Sequence, residues 1–150
     1  MKSKFLPRNK TNIYGLQSSE KKYIEEAFPF FNCSIDRSSL LTCKGWLQPD
    51  GCKSRYHVKI ESMPGKEPKT TILSPSILPS VHIHMYSDHS LCLHYKPDLK
   101  WTERIFVWKY TIPWLCEWII FYELYEVNGQ KWLGRESPFH LSEEEFNLLS

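Results

Sequence analysis

The apolar and polar positions of the chain first alternate in short runs and later recur with a helical period. Residues 55–61 form the clearest run, because every second residue is apolar, and this pattern predicts a half-buried β-strand. The runs at 40–47 and 70–73 predict neighbouring strands, and a Pro-Asp-Gly sequence at 49–51 predicts a tight turn. Short strands joined by local turns favour an antiparallel β-meander.

Helical patterns flank these strands. Residues 19–28 predict a short helix that ends before Pro29, and residues 113–129 predict a longer one. The longer helix carries large aromatic residues at helical spacing, which we expect to pack on the sheet: Trp114, Trp118, Tyr122 and Tyr125. A capping box at 142–145 predicts a last short helix. The predicted fold class is therefore α+β, an antiparallel meander packed against helices.

The length and the net charge of the chain limit the number of domains and the kinds of partner that it can have. A chain of 150 residues is one domain's worth and buries about two-thirds of its unfolded surface without disulfide or metal staples. We predict a single domain over 1–150, with a basic N-terminal extension over about 1–17. The formal net charge of +2 gives no electrostatic case for a nucleic-acid partner.

Cysteine usage and hydropathy indicate the compartment. No apolar run has the length of a signal-peptide core, and none approaches the roughly 18 residues of a membrane span. The five cysteines are odd in number and show no paired spacing. In a chain without an export signal, this pattern is typical of free thiols in a reducing environment. The sequence therefore predicts a cytoplasmic protein with no membrane association.

Candidate chemistry concentrates in the segment HIHMYSDHSLCL at 82–93. A thiolate at Cys92 would be a nucleophile, and a neighbouring cationic histidine favours the thiolate form. The same residues allow a zinc site, since His82/His84 and Cys92/His94 are two pairs spaced by two residues. No Cys-x-x-Cys knuckle supports zinc, however. A papain-like protease would need a histidine and an Asn or Asp from elsewhere, and no local signature indicates one.

This segment resembles the active-site signature of ubiquitin-conjugating enzymes. In that family a histidine opens the motif, an asparagine follows two residues later, and a cysteine between aliphatic residues lies ten positions after the histidine. Here His82 and Cys92 occupy the first and last of these positions. His84 replaces the asparagine and Ile83 the usual proline, while His89 stands at a glycine-like turn position. Asp88, just before it, is expected to make an Asx-turn. The resemblance implies a ubiquitin-conjugating fold and a thioester carried by Cys92.

The resemblance also implies roles for the histidines. His84 would support the oxyanion of acyl transfer or the loop that surrounds it, as the family's asparagine does. A neutral imidazole donates one N–H and an imidazolium two, so His84 is a chemically adequate substitute for an amide. His82 would shape the loop. Neither a metal nor a cofactor is expected for this chemistry.

The downstream segment at 111–140 narrows the resemblance to bacterial ubiquitin-conjugating-like proteins of the antiphage systems called CBASS. The matching elements are Pro113-Trp114, Glu117-Trp118, Tyr122-Glu123, Trp132-Leu133-Gly134 and His140. Such proteins act on a cGAS-like nucleotidyltransferase, the CD-NTase, through its C-terminus. The resemblance thus implies that protein as partner. His140 has two interpretations: as part of the family pattern it lies near the cysteine, and as the last residue before the Ser142 cap it only fastens a turn. No G-x-G-x-x-G nucleotide fingerprint occurs in the chain, so any adenylation would come from another protein.

Two hypotheses follow from the sequence. The first is a cysteine-dependent transferase with Cys92, His84, His82 and His140 as site residues, which passes the partner's C-terminus to an amine in antiphage defence. The second is a non-catalytic protein of the same fold that binds a partner's tail. The presence of Cys92 favours the transferase. The sequence leaves open the acceptor, the oligomeric state and the need for an activating enzyme.

Overall fold

A computed structural model describes residues 13–93 and 106–134 as a sheet combined with two α-helices. The α-helices and strands are, in chain order, α1 (Ile13–Ala27), β1 (Phe31–Ile35), β2 (Leu41–Leu47), β3 (Tyr56–Ser62), β4 (Lys69–Ser74) and α2 (Ile112–Val127). A 3-10 turn, Val81–Ile83, follows β4, and a π-helical turn, Val107–Thr111, leads into α2. The predicted order of helix, meander, loop with Cys92 and helix is confirmed, and the arrangement is compatible with a ubiquitin-conjugating-like fold.

The sheet is antiparallel throughout, in the order β1-β2-β3-β4. The predicted strand faces are confirmed, since Tyr56, Val58 and Ile60 are buried. Strand β1 was not predicted, although Phe31, Cys33 and Ile35 alternate with polar residues as a strand should. Its five residues gain their stability from pairing with β2, and this pairing could not be inferred from so short a segment.

Helix α1 begins at Ile13, so the predicted start at Ser19 was wrong. Its buried face consists of Gln17, Glu20 and Ile24, two of which are polar. Gln17 donates its amide to the carbonyl oxygens of Ser39 and Ser62, at 2.8 and 2.7 Å. Tertiary hydrogen bonds satisfy these buried polar groups. The buried face of α1 is therefore not marked by apolar residues at helical spacing, and the sequence pattern did not reveal it.

Glu20 fastens α1 to the turn before α2. Its carboxylate accepts the backbone N–H groups of Val107 at 2.9 Å and Trp108 at 3.3 Å. Burial raises the pKa of Glu20, and the two hydrogen bonds oppose that shift. The contact holds the π-helical turn, and with it the start of α2, against the first helix.

Helix α2 contributes Leu115, Trp118 and Ile119 to the core, while the other predicted aromatic residues of its face are half-buried. Glu123 accepts the N–H groups of Lys53 and Ser54 and the hydroxyl of Tyr56 at 2.7 to 3.2 Å. The helix is thereby tied to the β2–β3 turn.

Within the two described ranges, no helix combines the length and the apolarity needed to cross a bilayer. The last helix predicted from the capping box lies outside these ranges.

The prediction of five free thiols was wrong for one pair. Cys33 and Cys43 are register partners on β1 and β2, with Cα atoms 4.1 Å apart, and they are joined by a disulfide. Nothing in their spacing along the chain indicates this proximity, because it follows from the strand register alone. Cys52, Cys92 and Cys116 are free.

Candidate active site

The loop that leads to Cys92 is capped before it turns. The hydroxyl of Ser80 accepts the backbone N–H of His82 at 3.0 Å, and this bond starts the 3-10 turn Val81–Ile83. The backbone N–H of Met85 also reaches the Ser80 carbonyl, at 3.1 Å. Ile83 and Met85 are buried, and these two side chains anchor the loop in the core.

His84 ends the 3-10 turn in the left-handed region, with φ 56° and ψ 42°. This conformation costs a residue other than glycine roughly 1–2 kcal/mol, although histidine and asparagine adopt it more often than most. Two hydrogen bonds stabilise it. The N–H of His84 donates to the Val81 carbonyl at 3.2 Å, and the His84 carbonyl accepts the N–H of Cys92 at 2.9 Å.

Between His84 and Cys92 the chain forms a tight hairpin. Met85 and Leu91 form an antiparallel bridge, and the N–H of Tyr86 donates to the Ser90 carbonyl at 2.8 Å. His89 takes the left-handed conformation at φ 69°, a region that glycine adopts more readily than other residues. Asp88 forms the expected Asx-turn, since its carboxylate accepts the N–H of Ser90 at 2.9 Å.

Strand β4 supports this hairpin. The N–H of Leu91 donates to the Thr70 carbonyl at 2.9 Å, and Thr71 and Ser90 form a second bridge. Lys69 and Asp88 form an ion pair at 3.0 Å. Burial would raise the pKa of Asp88, but the hydrogen bonds from Ser90 and Lys69 outweigh it and lower that pKa to about 2. The hairpin is thus an extension of the sheet rather than a free loop.

The thiol of Cys92 is half-buried and has a phenol beside it. The hydroxyl of Tyr86 is hydrogen-bonded to the Cys92 sulfur. Burial raises the pKa of Tyr86 well above its ordinary value, and the neighbouring Cys92 raises it further. Tyrosine is protonated at neutral pH even at its ordinary pKa, so the Tyr86 hydroxyl is available as a donor. A donor to sulfur favours the thiolate, which is the reactive form.

Tyr86 was missed by the sequence analysis. Tyr86 lies within the motif, but its position along the chain does not indicate a contact with Cys92. The register of the hairpin decides which side chains reach the sulfur. The hairpin folds back so that its first arm carries the hydroxyl and its second arm ends at the thiol.

Aromatic rings from helix α2 and from the turn after it line one side of the site. The indole N–H of Trp118 donates to the Ile83 carbonyl at 2.7 Å in a buried position. The ring of Trp132 lies against the His84 imidazole, with centroids 5.4 Å apart and planes inclined by 56°. The Trp-x-Gly turn of the sequence pattern is thereby brought to the residue that precedes the hairpin.

The remaining predicted site residues have different placements. His82 is exposed, and its backbone N–H takes part in the Ser80 cap. His94 and His140 lie outside the described ranges. Across residues 13–93 and 106–134, no three His, Cys, Asp or Glu side chains converge as metal ligands. His94 was one of the four ligands of the zinc alternative.

The other free cysteines have a different environment. Cys52 and Cys116 are half-buried, and burial is the main cause that raises the pKa of each thiol. Glu123 raises the pKa of Cys52 further. Both thiols therefore ionise less readily than the thiol of a cysteine in water. Cys92, in contrast, lies beside a hydroxyl donor. The surroundings of Cys92 therefore differ from those of Cys52 and Cys116, since a hydroxyl donor beside a sulfur favours the thiolate.

The comparisons with known proteins agree with this geometry. The family model described as Type II CBASS E2 protein matches residues 20–140. A search of curated proteins finds no significant match. The matched region spans the sheet, the Cys92 hairpin and α2, which is most of the 150 residues. The chain therefore belongs to the Type II CBASS E2 protein family.

Proposed function

We propose that this E2-like protein of CBASS defence carries an acyl group as a thioester on Cys92. The acyl group is the C-terminus of a partner, the cGAS-like nucleotidyltransferase, and an amine accepts it. The observation that carries the proposal is the Tyr86 hydroxyl on the Cys92 sulfur, at the end of a hairpin fixed to the sheet. A buried structural thiol would not need this donor.

The proposed loading step is an acyl substitution at the partner's C-terminal carbonyl. The thiolate of Cys92 attacks the carbonyl carbon of an activated tail, an acyl adenylate or a thioester made by an activating protein. The C–S bond forms, and the activating group leaves with its electron pair. Tyr86 stabilises the thiolate before attack, because its protonated hydroxyl is available to the sulfur as a donor.

The proposed transfer step is aminolysis. An amine attacks the thioester carbonyl, a tetrahedral oxyanion forms, and its collapse breaks the C–S bond. Cys92 leaves as the thiolate, and the amine loses a proton to solvent. Donors aimed at the oxyanion are worth about 2.7–4 kcal/mol each in comparable acyl transfers, and His84 is the proposed side-chain donor. The main-chain bond from Cys92 to His84 supports this role by fixing their separation.

A protein tail is a suitable donor for this site. The family match implies a partner within the CBASS system, and a flexible C-terminus supplies the carboxyl group that a thioester requires. Binding of the tail beside Cys92 would convert a bimolecular attack into an effectively unimolecular one. The alternative of a non-catalytic tail-binding protein gives no role to the Tyr86–Cys92 hydrogen bond.

The experiment is intact-mass analysis of this protein purified with its cognate nucleotidyltransferase, with and without reductant. We expect a reductant-sensitive adduct on Cys92, followed by a reductant-resistant amide on an acceptor. Deletion of the last few residues of the nucleotidyltransferase should remove both species. Persistence of both after that truncation, or an absence of any binding or reaction between the two proteins, would contradict the proposal.

A further inference from the structure

The His84 imidazole rests on an aromatic surface that comes from outside its own loop. We define the aromatic wall as Trp118, Phe121 and Tyr125 of α2 together with Trp132. Trp132 lies 6.0 to 6.3 Å between ring centroids from each of the other three and 5.4 Å from the imidazole of His84. Its ring thus connects the helix to the proposed oxyanion donor.

Trp132 is wedged into this position by its surroundings. Gly134 passes so close that a Cβ there would lie 2.7 Å from the Trp132 Nε1 and 2.8 Å from the Phe121 Cδ2. No side chain other than hydrogen fits at residue 134 without moving a ring. The glycine therefore lets the chain close over Trp132 and limits the movement of its indole.

The indole N–H of Trp132 gains no hydrogen bond from this placement among the described residues. Its Nε1 is buried there without a hydrogen-bond partner, which costs about 1–3 kcal/mol. The indole N–H of Trp118, in contrast, is satisfied by the Ile83 carbonyl. A tryptophan kept at that cost is better explained by its ring face than by its N–H.

The two tryptophans hold neighbouring parts of the same loop. Trp118 fixes the Ile83 carbonyl by a hydrogen bond, and Trp132 contacts the next side chain, that of His84. His84 in turn fixes the N–H of Cys92 through its carbonyl. The aromatic wall therefore holds the Ile83 carbonyl through Trp118 and the imidazole of His84 through Trp132.

From this arrangement we infer that Trp132 is a positioning residue for His84. Its ring holds the imidazole in the orientation used in acyl transfer, so Trp132 acts through His84 and not on the acyl group itself. The inference rests on the proposed function, in which His84 donates to the oxyanion. Its physical basis is that misplacement of a catalytic group by about 1 Å can cost a hundredfold in rate.

The test uses the full chain and a donor that needs no partner. Cys92 is loaded by exchange with a synthetic peptide thioester, and aminolysis by free lysine is followed by intact mass. Trp132→Leu should slow aminolysis about 10- to 100-fold, and Trp132→Phe should retain most of the rate. Leu133→Ala is the matched control, because Leu133 is the exposed neighbour of Trp132.

A double-mutant cycle separates positioning from general stability. Trp132→Leu should add little in a His84→Asn background, because the imidazole through which it acts is gone. An equal slowing by Trp132→Leu in both backgrounds would overturn the inference, since it would indicate a structural effect. Equal aminolysis by the Trp132→Leu and unchanged proteins would overturn it as well.

NMR provides a readout that is independent of transfer. The ring protons of His84, assigned by their loss in His84→Asn, should show a ring-current shift that is retained in Trp132→Phe and lost in Trp132→Leu. Absence of that shift in the unchanged protein would overturn the inference. Because the loading uses a synthetic thioester, failure of the nucleotidyltransferase experiment would contradict the proposed partner and leave this test intact.

Discussion

The backbone N–H of Cys92 donates to the carbonyl oxygen of His84 at 2.9 Å, so a main-chain hydrogen bond joins the two principal residues of the proposed site. The hairpin between them is closed by this bond and by the Met85–Leu91 bridge. A displacement of either residue must therefore move the other.

Replacement of the nucleophile should abolish the covalent chemistry. Cys92→Ala should form no adduct and should unfold at the same temperature as the unchanged protein, while Cys92→Ser could form a slower oxyester. Intact mass and thermal melting measure the two effects. The matched controls are Cys52→Ala and Cys116→Ala, which should load normally because burial raises the pKa of both thiols. An adduct on the Cys92→Ala protein would refute the assignment.

His84 contributes both a backbone conformation and a side chain, and two variants separate these. His84→Ala should slow aminolysis about 10²–10³-fold, the usual cost of losing one oxyanion donor. His84→Gly relieves the left-handed strain at φ 56° and should be equally slow if the imidazole is what matters. His84→Asn should recover much of the rate, since asparagine tolerates this conformation and donates an N–H. Normal transfer by His84→Ala would show that the motif is aligned incorrectly.

Tyr86→Phe should make the Cys92 thiol less reactive near neutral pH. Loss of the hydroxyl removes a donor that favours the thiolate, so the rate of alkylation by iodoacetamide should rise only at higher pH than in the unchanged protein. The pH profile of alkylation, measured by intact mass, reports this shift. Tyr14→Phe is the control, because Tyr14 is exposed on α1. Superimposable profiles would exclude a role for the hydroxyl.

Asp88 should make the hairpin sensitive to acid. Its pKa, about 2 in the folded protein, lies below its ordinary value of 3.8, so its stabilisation is present above about pH 4 and is lost as the pH falls toward 2. Asp88→Asn keeps an oxygen for the Ser90 N–H but loses the ion pair with Lys69. The variant should be less stable by under about 1 kcal/mol, because both side chains are partly exposed.

Urea unfolding at a series of pH values measures that difference. The gap between the two proteins should be constant from about pH 5 to 7 and should close as the pH falls from about 4 to 2. Asp50→Asn is a matched control, because Asp50 is an exposed residue of the β2–β3 turn, outside the hairpin. A gap that widens in acid would have the wrong sign for this assignment.

The sequence by itself determined the features that repeat or that carry a motif. Alternation identified β3, apolar runs of strand type identified β2 and β4, and helical periodicity identified α2, because burial of one face imposes a fixed period on apolar residues. The resemblance of residues 82–93 to the motif of ubiquitin-conjugating enzymes located the proposed site, and the hairpin joins His84 to Cys92 by local geometry. Asp88 was placed correctly in its turn for the same local reason.

Only the tertiary structure decided the features that depend on distant partners. The polar core face of α1 escaped detection because Gln17 and Glu20 are satisfied by segments far along the chain. The Cys33–Cys43 disulfide follows from strand register, which no linear spacing encodes. Tyr86 reaches the sulfur through the fold of the hairpin, and Trp132 reaches His84 from beyond α2. Local periodicity records which face of an element is buried, but contacts between elements are set by how those faces pack together, and for that reason the surroundings of Cys92 emerged only in three dimensions.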